Sequence, residues 1–145
     1  MKPLPRLSFS GAVDGDGHVL EPPDLWQRYL EPGFRDRAPT IRPDDNGLEY
    51  LEIDGRASKI VRGGMPAGLG MMDRVGGYIY EREAKTGLKY VDEAPLGAMD
   101  PRERVARLDM ENIARVFLYP TLSLFWIAEC EDEELTQAYL RAYNK

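Results

Sequence analysis

The run Ile113-Ala114-Arg115-Val116-Phe117-Leu118-Tyr119, closed by Pro120, constrains the fold of this chain more than any other stretch. It is apolar without alternation, the pattern of a strand covered on both faces, as in parallel α/β sheets. A strong helix start precedes it at Asp100-Pro101-Arg102-Glu103. The aspartate can cap, proline suits the first helical position, and Glu103 stands where a capping box places its acid. This pattern predicts a helix to about Met110 with Val105, Leu108 and Met110 on its buried side. Asn112 can take the left-handed conformation that ends it.

A first strand is predicted over residues 9–21, after an irregular arm at 1–8 in which Pro3 and Pro5 oppose regular structure. Pro22-Pro23 ends this strand, since neither proline can donate to a ladder. Within it, Asp14, Asp16 and His18 occupy every second position, and His18 is the only histidine in the chain. Side chains alternate faces along an extended strand, so these three are expected to project from one side.

Asp24 to Leu30 reads as a short helix with Asp24 as N-cap and Leu25, Trp26, Tyr29 and Leu30 as its apolar face. Residues 34–99 form an insertion. It opens with a charged, proline-punctuated excursion to Pro43. A hairpin follows, in which Leu48 to Ile53 and Arg56 to Val61 flank Asp54-Gly55, a pair suited to a type I′ turn. Residues 62–77, rich in glycine and methionine, predict a mobile loop. They lack the G-x-x-x-x-G-K-[ST] of a phosphate cradle. After a loop at 121–126, Glu131-Asp132-Glu133-Glu134 opens a last helix, where negative charge suits the helix dipole. Leu135, Ala138, Tyr139 and Ala142 make its apolar stripe.

A length of 145 residues suits one domain. The net charge of -6 and the lack of a basic stripe argue against nucleic-acid binding. No stretch has the length and apolarity of a signal peptide or membrane span, so a cytoplasmic location away from membranes is expected. Cys130 is the single cysteine and cannot form an internal disulfide. As a nucleophile it would need a base, and His18 is the one imidazole available, so a thiol at a loop or helix start is the expected reading.

Several chemistries use carboxylates at the spacing of Asp14 and Asp16. A calcium loop starting at Asp14 would need glycine and glutamate where Val19 and Leu25 stand, which excludes it. Asp14-Gly15-Asp16-Gly17 also resembles the first motif of haloacid-dehalogenase-type phosphatases, in which Asp14 would be the nucleophile and Asp16 the acid/base, with magnesium. Asp16 and His18 on one side of a strand end also suit a zinc or manganese site. A strand-end histidine hydrogen-bonded to a neighbouring aspartate explains the same residues without any ligand.

The longer segment from Val13 through Pro22-Pro23-Asp24-Leu25-Trp26 resembles the beginning of amidohydrolase-related proteins, the branch that includes aminocarboxymuconate-semialdehyde decarboxylase. Arg104 to Met110 with Ile113 to Thr121, and Leu135 to Asn144, are similar to later parts of the same family. The resemblance implies the N-terminal part of a metal-dependent (β/α)8 TIM barrel, with the hairpin region inserted between strands 1 and 2. It implies hydrolysis or non-oxidative decarboxylation of a small organic acid. The family's strand-one H-x-H supplies two metal ligands, and here Asp16 and His18 take those places, with Asp16 where histidine is usual. Glu21 would border the substrate pocket, or equally be a solvent-facing loop acid. A full barrel takes roughly 250 residues and eight strands. The expected zinc or manganese site is therefore incomplete, the fragment inactive, and both barrel strands left with exposed edges. A homo-oligomer of the full-length protein stays open, as does the alternative of a small non-catalytic α/β interaction module.

Overall fold

The computed structural model describes residues 8–9, 11–70 and 87–145. In chain order these hold β1 (Ala12–Val19), α1 (Leu25–Tyr29), a 3-10 helix (Pro32–Arg37), β2 (Thr40–Pro43), β3 (Glu49–Ile53) and β4 (Arg56–Ala57). There follow α2 (Met65–Gly70), α3 (Tyr90–Glu93), α4 (Pro101–Glu111), β5 (Ile113–Pro120), α5 (Ser123–Glu129) and α6 (Glu133–Tyr143). The strands make two sheets among the described residues. β1 pairs with β5 in parallel, and β2, β3 and β4 form an antiparallel sheet in that order.

Local signals place most of these elements. The Asp100 side chain accepts from the amides of Arg102 and Glu103, Pro101 begins α4, and Asn112 closes it at φ 65°. Glu103 departs from the capping-box expectation, because its Oε2 accepts from the Gly97 amide at 3.2 Å. Asp54 and Gly55 have φ of 52° and 70°, as the hairpin turn requires. Asp132 caps α6 by accepting from the Leu135 amide. The expected stripe of Leu135, Ala138, Tyr139 and Ala142 is entirely buried.

That stripe meets the side chains of α1 and α5. The rings of Trp26 and Trp126 lie edge to face at 5.6 Å between centroids, and those of Trp126 and Tyr139 at 5.0 Å. Such offset geometries suit the aromatic quadrupole and bury large apolar areas. The core thus sits beside the C-terminal ends of β1 and β5, and it holds the loops that leave those strands.

Several expectations need correction. The helix at Asp24 is shorter, and Asp24 makes no cap bond; it pairs instead with Arg28 one turn on, at 2.8 Å. The excursion after Pro32 contains the 3-10 helix and β2, which adds a third strand to the hairpin. Part of the supposed mobile loop is α2, and its residues 71–77 lie outside the described residues, as does the arm at 1–7. The loop after Pro120 contains α5.

The largest correction concerns burial. α4 buries no residue fully, with Val105 59% and Met110 46% exposed. In β5, Phe117 is 63%, Leu118 45% and Tyr119 46% exposed. β1 is the one strand paired with β5 among the described residues, which leaves these apolar side chains in solvent. Cys130 is half-buried just before α6, as a thiol at a helix start should be.

Arg37 ties the hairpin to α6. Its Nε donates to Asp54 Oδ1 at 2.5 Å, its Nη2 to Asp54 Oδ2 at 2.8 Å, and its Nη1 to Asp132 Oδ2 at 2.9 Å. The Arg37 guanidinium holds the Asp54 carboxyl below the usual carboxylate range. Asp132 is held low first by the Leu135 amide and then by Arg37. A folded-state value below the unfolded one gives stability that is present above the unfolded pKa and lost as pH falls through the folded one. Melting temperature should therefore stay level from neutral pH down to about pH 4 and then drop. Arg37→Met should flatten that acid limb, as thermal melts followed by circular dichroism across this range would show.

Candidate functional site

The register of β1 against β5 decides where its polar residues point. Asp14 lies opposite Val116 but Gly17 lies opposite Leu118, so three steps along β1 match two along β5. This is a bulge at Gly15-Asp16, and the Asp16 amide turns back to donate to Asp14 Oδ1 at 3.0 Å. An extra residue reverses the alternation of faces. Asp14 and Gly17 consequently share the face of Val116 and Leu118, and His18 shares the face of Tyr119. Two contacts agree. A Cβ added at Gly17 would come within 2.4 Å of Val116 Cγ2 and 3.2 Å of Asp14 Oδ2, which explains glycine there. The His18 and Tyr119 rings lie 6.3 Å apart.

Simple alternation fails across the bulge, so Asp14 and His18 do not share a strand face, although Asp14, Asp16 and His18 all line one cavity. Asp16 and His18 do come together, with Oδ1 and Nε2 3.9 Å apart. Asp14 goes to the side of α4, where its charge acts on Arg104. Burial lowers the Arg104 pKa, the neighbouring Arg107 lowers it further, and Asp14 and Glu111 oppose this. Arg104 Nη2 also donates to the main-chain oxygen of His18 at 2.6 Å, fixing the strand end. A cavity of about 330 Å³ has Asp14, Asp16 and His18 in its lining together with Arg104 and Arg107 of α4.

The other ring nitrogen of His18, Nδ1, lies 3.1 Å from Thr121 Oγ1. Thr121 follows directly on β5, so the two parallel strand ends bring these side chains together. Thr121 is seated in turn by Glu21. Glu21 Oε1 accepts from the Thr121 amide at 3.2 Å, the Ser123 amide at 2.9 Å and the Ser123 hydroxyl at 2.8 Å, while Oε2 accepts from the Leu122 amide at 2.9 Å. The carboxylate thus caps the start of α5, which has no side-chain cap of its own. Glu21 is fully buried, which removes the reading of a solvent-facing loop acid. It does not line the cavity beside β1, and its oxygens are engaged by the turn at 121–123. The Tyr90 hydroxyl donates to its main-chain oxygen at 3.2 Å, and burial, with Glu21 adding to it, pushes the Tyr90 pKa well up.

Asp16 and His18 pass a chemical test for a divalent ion. A carboxylate oxygen and an imidazole nitrogen 3.9 Å apart on one side need only a small adjustment to share an ion at about 2.0–2.2 Å from each. They remain a pair, for no group of three histidine, cysteine or acidic residues is so arranged among the described residues. Sequence reasoning found both residues. It missed Thr121 and Arg104, whose one sequence signal is position, at a strand end and in the helix between the strands.

No family model matches the sequence, and no curated protein does either. A solved structure matches in three dimensions: that of the amidohydrolase map2389c from Mycobacterium avium subsp. paratuberculosis K-10. The fold is similar to part of that amidohydrolase. The TM-score is 0.60 at 22% identity, over 95% of this chain and 37% of the other. At that identity the likeness speaks to the fold, and the chain spans little more than a third of its neighbour's length. No helix among the described residues is long and apolar enough to cross a membrane.

Proposed function

We propose that this chain forms the N-terminal part of a metal-dependent (β/α)8 amidohydrolase-type enzyme that hydrolyses or non-oxidatively decarboxylates a small organic acid. The observation that carries the reading is the Asp16 and His18 pair toward the C-terminal end of a parallel strand. Active sites of barrels gather at that end of their strands. The parallel β1 and β5 and the fold likeness to an amidohydrolase support the same reading.

Asp16 would provide an anionic oxygen and His18 its Nε2, while Thr121 holds the opposite ring nitrogen. A bound zinc or manganese ion would supply polarisation of a substrate carboxylate or activation of a water. Glu21 serves this site by holding the loop after β5. The likeness to the decarboxylase-containing branch, an ion that is zinc or manganese, and a cytoplasmic location belong to the same proposal.

Two donors make a weak site. In calorimetric titration the 145-residue chain should bind zinc or manganese weakly, and it should turn over no substrate. Tight stoichiometric binding would contradict the claim that the chain holds part of a site.

A further inference from the structure

We infer that Thr121 is a positioning residue for His18, fixing which ring nitrogen faces Asp16. The inference rests on the metal-site reading and adds to it a residue from the turn after β5. An imidazole at a strand end rotates about two side-chain bonds, and without a second contact either nitrogen can turn toward a neighbouring carboxylate. Here Thr121 Oγ1 lies 3.1 Å from Nδ1 while Asp16 Oδ1 lies 3.9 Å from Nε2, so the two contacts address opposite edges of the ring. When Nε2 binds a cation, Nδ1 must carry the proton, and the Thr121 hydroxyl is placed to accept it.

The hydroxyl is itself held in place. Thr121 is 2% exposed, and its amide and the next two donate to the buried Glu21 carboxylate. Arg104 meanwhile donates to the main-chain oxygen of His18, so the backbone that carries the ring is held as well. The ring is thus clamped between β1 and the turn after β5, a contact spanning 103 positions in sequence.

The test compares the wild-type chain with Thr121→Val, which keeps the shape and removes the hydroxyl, and with Thr121→Ser, which restores it. Because His18 is the one histidine, its ring signals in proton NMR need no assignment among others. Without metal, at roughly pH 8 where imidazole is ordinarily neutral, wild type and Thr121→Ser should show nuclear Overhauser contacts from one edge of the ring to Tyr119. Thr121→Val should show contacts from both edges. Zinc affinity should fall about 10-fold or more in Thr121→Val and return in Thr121→Ser.

An unchanged ring orientation with unchanged zinc affinity in Thr121→Val would overturn the role. Ring averaging in the wild type itself would do the same. If zinc leaves His18 undisturbed in every variant while the valine alone frees the ring, the metal reading fails and the positioning role stands.

Discussion

Replacing Glu21 with alanine is expected to destabilise the chain by at least about 4 kcal/mol, because four donors would lose their acceptor at once. Those donors are the amides of Thr121, Leu122 and Ser123 and the Ser123 hydroxyl, and all lie in a fully buried turn. Each stranded donor costs about 1–3 kcal/mol, and the missing side chain also leaves a void. Glu21→Gln should be milder, at about 1–3 kcal/mol, since the amide oxygen can still serve the three donors at Oε1. Its NH₂ would face the Leu122 amide, donor against donor. Urea unfolding of the three proteins measures the series. Equal stability of alanine and wild type would mean that the carboxylate is not the anchor of that turn.

Trp126→Ala should cost about 3–5 kcal/mol, the usual range for truncating a large buried aromatic. The indole is wholly buried and packs edge to face against both Trp26 and Tyr139, so its loss opens the seam joining α1, α5 and α6. Trp126→Phe should cost much less. The Trp126 Nε1 is buried with no hydrogen-bond partner among the described residues, so phenylalanine removes a polar group that gains nothing from them. The same unfolding experiment reads both variants, and equal losses for phenylalanine and alanine would contradict this view of the seam.

These two sites show what the sequence made legible. Trp126 was read within a loop, whereas the α6 stripe with Tyr139, the Asp100 cap, the acidic start of α6 at 131–134, Asn112 and Asp54-Gly55 are signals written within a few residues of the structure they specify. The role of Glu21 could not be read that way. Its partners lie 100–102 positions away, and nothing near Glu21 distinguishes an acid that caps a remote helix from one that faces water. The helix it caps was missed for the same reason, since Leu122 stands at its cap position without a side-chain acceptor.

The register of β1 failed to show for another physical reason. Period-two reasoning assumes an unbroken ladder, and Gly15 and the turn-back of the Asp16 amide onto Asp14 break it. Asp16 and His18 still approach to 3.9 Å although Asp16 lies within the bulge. Burial of β5 was misjudged because an apolar run states what a strand requires, and the neighbours that would satisfy Phe117 and Tyr119 are not among the described residues.

The central claim is that Asp16 and His18 act as one half of a metal site while Asp14 does not. Nitrogen-15 spectra of His18 during zinc titration test it most directly, with Asp16→Asn and Asp14→Asn beside the wild type. Zinc should shift Nε2 in the wild type and in Asp14→Asn, and the shift should need far more zinc in Asp16→Asn. No zinc-dependent shift at His18, or a response that depends on Asp14 and ignores Asp16, would contradict it.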